Sequence, residues 1–244
     1  MAAVGIIPAR FGSTRFPGKV LTPIAGRPMI QHVWEGACGA VSLRTVMIAT
    51  DDERVAEVCR SFGAEVVLTS PDHPTGTDRL AEVSAGLDDE IVVNVQGDEP
   101  LIEGFVIDAA VAALESTPDA PMATVIHPAD PSAQTDPNRV KVVVDRSGCA
   151  LYFSRAPIPH SRSGAAVPLW QHVGLYAYRR PFLAEYVKLA PTPLEQAEAL
   201  EQLRALEHGH PIAVGVVEGW CSVPVDTPED VERVEAVLRA RDRR

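Results

Sequence analysis

Over the first 116 residues, apolar runs of strand length alternate with longer stretches of helical period. "VGIIPA" (4–9), "RTVMIAT" (44–50), "AEVVLT" (64–69) and "EIVVNV" (90–95) predict four strands. Their unbroken Val and Ile runs suit strands covered on both faces. Helical spacing marks "PMIQHVWEGA" (28–37), "DDERVAEVCRSFG" (51–63), "DRLAEVSAGL" (78–87) and "IDAAVAALES" (107–116), with Gly63 where a C-terminal cap belongs. This β-α order predicts a mostly parallel sheet layered with helices.

Past residue 120 the rhythm changes. "MATVIH", "VKVVVD", "CALYFS" and "HVGLYAY" read as strands separated mainly by turns, which predicts an antiparallel extension over about 121–210. Helices are expected near 180–188 and 194–208, and a strand–helix pair over 212–240. "HSRSGAAVP" (160–168), polar and rich in small residues, reads as a loop. With no composition break to act as a linker, the expectation is one α/β domain over 1–244.

Composition adds limits. The 244 residues carry a net charge of −11, which argues against nucleic-acid binding and leaves room for a small anion in a local basic pocket. Four scattered cysteines without C-x-x-C spacing read as reduced thiols, most of them core fillers, of a cytoplasmic protein. The N-terminal apolar stretch is too short for a signal peptide, and no run reaches membrane-span length.

Against that acidic background, residues 1–34 contain Arg10, Arg15, Lys19 and Arg27 and no carboxylate before Glu35. "RFGSTRFPGK" after the first strand offers turning glycines, backbone N–H groups and cations, a combination suited to phosphate. It is neither a P-loop, since five residues separate the glycines and Val20 stands where Ser or Thr would hold Mg²⁺, nor a G-x-G-x-x-G loop. A solvated basic loop is the competing reading. "VNVQGDEP" (93–100) ends a buried strand in carboxylates, which suit Mg²⁺ or an ordinary acidic turn. In "PVDTPED" (224–230), Thr227, Pro228 and Asp230 read as helix cap, first turn and capping acid, leaving Asp226 over as a second metal carboxylate. "HPTGTDR" (73–79) puts Gly76 and Arg79 at a helix entry capped by Thr77 or Asp78, with His73 structural. Glu201 and Arg204, three apart, suit a surface ion pair.

Seven motifs in order, "IPARFGSTRFPGK", "HPTGTDR", "NVQGDEP", "LYFSRAPIP", "HVGLYAY", "PLEQAEALEQLR" and "VDTPED", resemble the 3-deoxy-D-manno-octulosonate (Kdo) cytidylyltransferases from about residue 3 to 240. The resemblance implies a nucleotide-diphospho-sugar transferase fold, a Rossmann-like, mostly parallel sheet with an antiparallel extension. It implies a homodimer, Mg²⁺ as cofactor, and CMP transfer from CTP to Kdo for lipopolysaccharide synthesis. By motif, Arg10, Arg15 and Lys19 are expected on the CTP phosphates, and Ala9, Gly76, Arg79 and Gln96 around the nucleotide. Asp98 and Asp226 are expected on Mg²⁺ and, with Arg10 and Lys19, in the chemistry. Gln96, Arg155, His172, Tyr176, Glu201 and Gln202 are expected to face the sugar acid, Arg155 at its carboxylate.

Thr75 replaces the usual Ser, His160 replaces a common bulky aromatic, and Pro224 stands where Gly is common. The last two departures fall near sugar and metal ligands. A sialic-acid-type cytidylyltransferase and a catalytically silent nucleotide-binding homologue are the alternatives. A glycosyltransferase consuming a nucleotide sugar would show an Asp-x-Asp pair, which neither "QGDEP" nor "ATDDER" supplies.

Overall fold

The computed structural model describes residues 2–12, 16, 18–164 and 167–241, so Arg15 lies outside the described residues. The chain forms two compact units, one of residues 1–108 and 222–244, the other of 109–221; the expected antiparallel region falls in the second.

In the first unit, β1 (Ala3–Ala9) is followed by a short hairpin, β2 (Pro23–Ile24) and β3 (Arg27–Pro28), and by α1 (Met29–Cys38). Then come β4 (Leu43–Thr50), α2 (Glu53–Ser61), β5 (Glu65–Leu68), α3 (Gly76–Ser84) and β6 (Ile91–Asn94). The long strands lie parallel in the order β6-β1-β4-β5. β1 is central, with Ile6 opposite Met47 on one side and Asn94 on the other. All the carboxyl ends of these strands therefore share one edge, the usual ligand edge of such a sheet.

Helix α4 (Gly104–Ser116) carries the chain into the second unit. There β7 (Met122–Pro128), β8 (Lys141–Val144), β9 (Ala150–Ser154) and β10 (Trp170–Arg179) precede α5 (Arg180–Tyr186), α6 (Pro193–Glu198), α7 (Leu203–Glu207) and β11 (Ile212–Val216). β10 runs antiparallel to β7 and β8, β8 antiparallel to β9, and β11 parallel to β7. Between Val173 and Tyr176 the β10 register slips against β7. This bulge changes the direction of the side chains on either side of it.

Helix α8 (Pro228–Arg241) closes the first unit. Its Val234 packs on Ile24, Met29, Leu101 and Val225, with Val231, Val237 and Leu238 alongside. The β2–β3 hairpin thus gives the amphipathic C-terminal helix an apolar seat, each fully buried aliphatic side chain contributing roughly 2 kcal/mol.

Four expectations need correction. The helix expected over 194–208 is two short helices, because Ala199 takes a left-handed conformation (φ 50°, ψ 51°) after α6. Arg204 there binds Glu195, with Nε 2.9 Å from Oε2, a partner nine residues back that helical spacing does not reveal. Of the cysteines only Cys59 is buried, its thiol pushed up to about 12 by burial, while Cys38 and Cys221 are exposed. The α3 cap is Thr75, whose hydroxyl accepts from the Asp78 N–H while the Asp78 carboxylate accepts from the Thr75 N–H.

Candidate active site

At the carboxyl edge of the first unit's sheet lies a cavity of about 400 Å³, within the range of small-molecule sites. Pro8 and Arg10 line it from the end of β1, Gly76 from the start of α3, and Gln96, Gly97 and Asp98 from the loop after β6. Lys19 and Val20 enter from the 3₁₀ turn Lys19–Leu21, and Asp226 from the segment before α8. Two glycines make this geometry possible. Gly18 has φ 71°, the left-handed turn that starts the Lys19 segment. At Gly97 a Cβ would lie 3.1 Å from the Pro8 carbonyl, so the acidic loop comes close to β1.

Lys19 is the electrostatic centre. Its Nζ donates to Asp98 Oδ2 at 2.8 Å and to Asp226 Oδ1 at 3.2 Å. Burial works against its charge, but Asp98 and then Asp226 overcome it and hold the ammonium above its ordinary pKa. The two carboxylates, 128 residues apart in sequence, are joined through their backbones too: the Val225 N–H donates to the Asp98 carbonyl at 2.9 Å. Asp230 Oδ2 accepts from the N–H groups of Asp226 (2.9 Å) and Thr227 (2.8 Å), which makes it the expected capping acid.

Arg10 Nη2 is buried with no hydrogen-bond partner among the described residues. An unpaired guanidinium N–H costs free energy unless a ligand accepts from it. Ala9, by contrast, is fully buried within β1, between two residues that line the cavity; strand alternation puts its side chain on the other face. Arg79 is also wholly buried and does not line the cavity. It lies 3.3 Å from Asp51 and donates to the Thr69 hydroxyl, with Nε and Nη2 left without hydrogen bonds among the described residues. Burial lowers its pKa, Asp51 opposes that, and the Arg10 charge adds to it. Arg27, the remaining described cation of the opening stretch, pairs with Glu35 at 2.5 Å. His73 pairs with Glu82.

The residues expected to face the sugar acid, other than Gln96, lie in the second unit. His172 and Tyr176 flank the β10 bulge with ring centroids 5.5 Å apart. The Thr124 hydroxyl closes that bulge, 2.8 Å from the Leu175 carbonyl and 3.0 Å from His172 Nε2. The hydroxyl proton goes to the carbonyl, so Nε2 must carry the hydrogen that joins the pair. Burial pushes the His172 pKa down to about 3 and that of Tyr176 well up, with the Glu201 charge adding to the latter. Glu201 is therefore electrostatically close to Tyr176, and the Tyr186 hydroxyl donates to the Glu201 carbonyl at 2.7 Å. Gln202 is buried with its Nε2 unpartnered among the described residues. Arg155, at the end of β9, directs three of its five N–H groups to the backbone carbonyls of Pro137, Glu198 and Ala199.

One carboxylate of the loop after β6 has an environment that the sequence reading did not single out. Glu99 is buried and accepts from the Ser222 hydroxyl, and burial pushes its pKa up to about 8. Its place in "QGDEP" was the only signal, and nothing local separates its fate from that of Asp98.

A family model for cytidylyltransferases matches residues 4–212. The 3-deoxy-manno-octulosonate cytidylyltransferase of Syntrophotalea carbinolica is 52% identical over 98% of this chain and 99% of its own length. That of Solibacter usitatus is 54% identical over 97% of this chain and 94% of its own. The chain belongs to the 3-deoxy-manno-octulosonate cytidylyltransferase family. A solved CMP:2-keto-3-deoxy-manno-octonic acid synthetase complexed with CTP superposes with a TM-score of 0.93 at 42% identity, over 99% of this chain and 100% of that one. A cytidylyltransferase of Leptospira borgpetersenii, 16% identical with a TM-score of 0.64, shares the fold. This cytidylyltransferase is thus a nucleotidyltransferase of mixed α/β architecture, and among its described residues no helix is long and apolar enough to cross a membrane.

Proposed function

We propose that the chain transfers CMP from CTP to the anomeric hydroxyl of Kdo, releasing pyrophosphate. The observation that carries this reading is the cavity at the sheet's carboxyl edge, where Arg10 presents an unpaired buried N–H beside the Lys19, Asp98 and Asp226 cluster. In the reaction the hydroxyl oxygen bonds to the α-phosphorus. The bond from that phosphorus to the bridging oxygen breaks, pyrophosphate leaves, and the hydroxyl proton is lost. Arg10 and Lys19 would bind the phosphates and offset the charge that grows on the leaving group. Gln96 and Gly76 would line the nucleotide. His172, Tyr176, Glu201, Gln202 and the two remaining N–H groups of Arg155 would orient the sugar acid.

The donor set fits Mg²⁺. Asp98 and Asp226 offer hard oxygen atoms to one cation, here the Lys19 ammonium. Among the described residues no three His, Cys, Asp or Glu side chains gather into a complete metal site. That suits an ion held by two carboxylates and completed by phosphate and water. When bound there, Mg²⁺ would supply Lewis-acid stabilisation of phosphate charge. The same reading carries a homodimer, a cytoplasmic setting and a product destined for lipopolysaccharide synthesis, all as implications of the family.

The test is Mg²⁺-dependent pyrophosphate release from CTP with Kdo, with N-acetylneuraminate and with no sugar, the product confirmed by mass. Release with Kdo alone, reduced at least about 100-fold in Asp98→Ala, is the expected result. Release only with N-acetylneuraminate would replace the acceptor, and CTP binding without turnover would overturn the catalytic reading.

A further inference from the structure

A second set of charged side chains, one of them fully buried, lies in the second unit. Lys141, on β8, is 1% exposed, yet among the described residues it pairs with no carboxylate; its Nζ donates to the carbonyls of Asp136 (2.8 Å) and Arg155 (2.6 Å). Glu198, the last residue of α6, accepts from the Ser154 hydroxyl at 2.6 Å and from the Arg155 N–H at 2.9 Å. The Arg155 guanidinium returns to the Glu198 carbonyl at 2.6 Å, the Ala199 carbonyl at 3.2 Å and the Pro137 carbonyl at 2.9 Å. Residue 155 is thereby held from three sides: its N–H by Glu198, its carbonyl by Lys141, and three of its five side-chain N–H groups by backbone carbonyls. The whole set closes on the Ala199 break, immediately before Glu201 and Gln202.

A buried lysine that serves two backbone carbonyls is costly to keep unless the backbone it fixes matters. Neither helix beside the break can fix it alone, since α6 has six residues and α7 five. The Arg155 cross-links from the end of β9, which Lys141 of β8 holds in turn, join the Glu195–Arg204 pair in opposing rotation at Ala199.

We propose that Lys141 and Glu198 are positioning residues for the sugar acid: they clamp Arg155, and through it the Ala199 break, so that Glu201 and Gln202 keep a fixed orientation. This rests on the assignment of Glu201 and Gln202 to the Kdo acceptor made above. Neither Lys141 nor Glu198 need touch the substrate.

The experiment compares Glu198→Gln, Lys141→Met and the double variant with the unaltered full-length enzyme. Expected for each single variant is a KM for Kdo raised about tenfold or more, with the KM for CTP within about twofold. The double variant should be no worse than about the worse single one, because both changes release the same residue. Hydrogen exchange at the amides of Leu200, Leu203 and Arg204, which donate to Glu195, Leu200 and Glu201, should speed up in both. An unchanged KM for Kdo with unchanged exchange would overturn the proposal, as would equal losses for CTP and Kdo. If Lys141→Met does not fold, Glu198→Gln, a change at a half-buried position, decides alone. The exchange measurement needs no substrate. Faster exchange in an enzyme that rejects Kdo would therefore show the clamp intact and the acceptor assignment wrong.

Discussion

His172 shows what a single side chain does when the chain folds around it. Burial holds its imidazole neutral with a pKa near 3, whereas in the unfolded chain it titrates near the ordinary value of 6.5. The unfolded state therefore binds more protons anywhere between those values. The stability linked to His172 is complete above pH 6.5 and falls as the pH drops toward 3, with a slope of up to about 1.4 kcal/mol per pH unit. Urea unfolding of wild type and His172→Gln at pH 7, 6, 5 and 4 should show a flatter dependence in the variant. Parallel slopes would mean that His172 is not held neutral. Sequence placed His172 in a strand motif but gave no sign of this environment, because it is set by the slipped pairing of β10 with β7, whose Thr124 hydroxyl comes from 48 residues away. Arg79 is the same lesson in reverse. Its motif pointed to the nucleotide, while its burial against Asp51 and Thr69 is decided by the ends of two neighbouring strands.

At the level of elements, the four parallel strands and the acidic loop after β6 could be read directly, since unbroken Val and Ile runs admit few alternatives. The β2–β3 hairpin could not, being two residues per strand and held by the apolar face of α8. The interrupted helix over 193–207 was misread for a related reason. Leu, Glu and Ala throughout are good helix formers, and the contacts that favour a break at Ala199 come from β9 and from the Glu195–Arg204 pair. A left-handed alanine is strained. Ala199→Gly should accordingly raise the stability to chemical denaturation by up to about 1 kcal/mol, and Ala199→Val should lower it by at least as much. A destabilised glycine variant would show that the break carries no backbone strain.

On the scale of the whole molecule, a chain of net charge −11 must bind a polyanion against its own average field. It does so by placing Arg10 and Lys19 at one edge of one sheet, a local concentration already visible in the acid-free opening of the sequence. What the sequence did not show is that Lys19 is already neutralised there by Asp98 and Asp226. On the proposed assignment of Mg²⁺ to Asp98 and Asp226, a divalent ion arriving by itself would compete with a tethered ammonium that never diffuses away. Incoming phosphates would offer that ammonium another partner and free both carboxylates. Metal and nucleotide would then be linked ligands, each raising the affinity of the other by the same factor. Calorimetric titration of Mn²⁺ should find weak binding to the nucleotide-free protein and stronger binding once CTP is present. In Lys19→Met the nucleotide-free affinity should rise and the dependence on CTP shrink; a variant that binds Mn²⁺ no better than wild type would remove the competition. A residue placed to grip phosphate would thus also set the order of assembly, discouraging idle metal loading and admitting the ion chiefly in the company of its nucleotide.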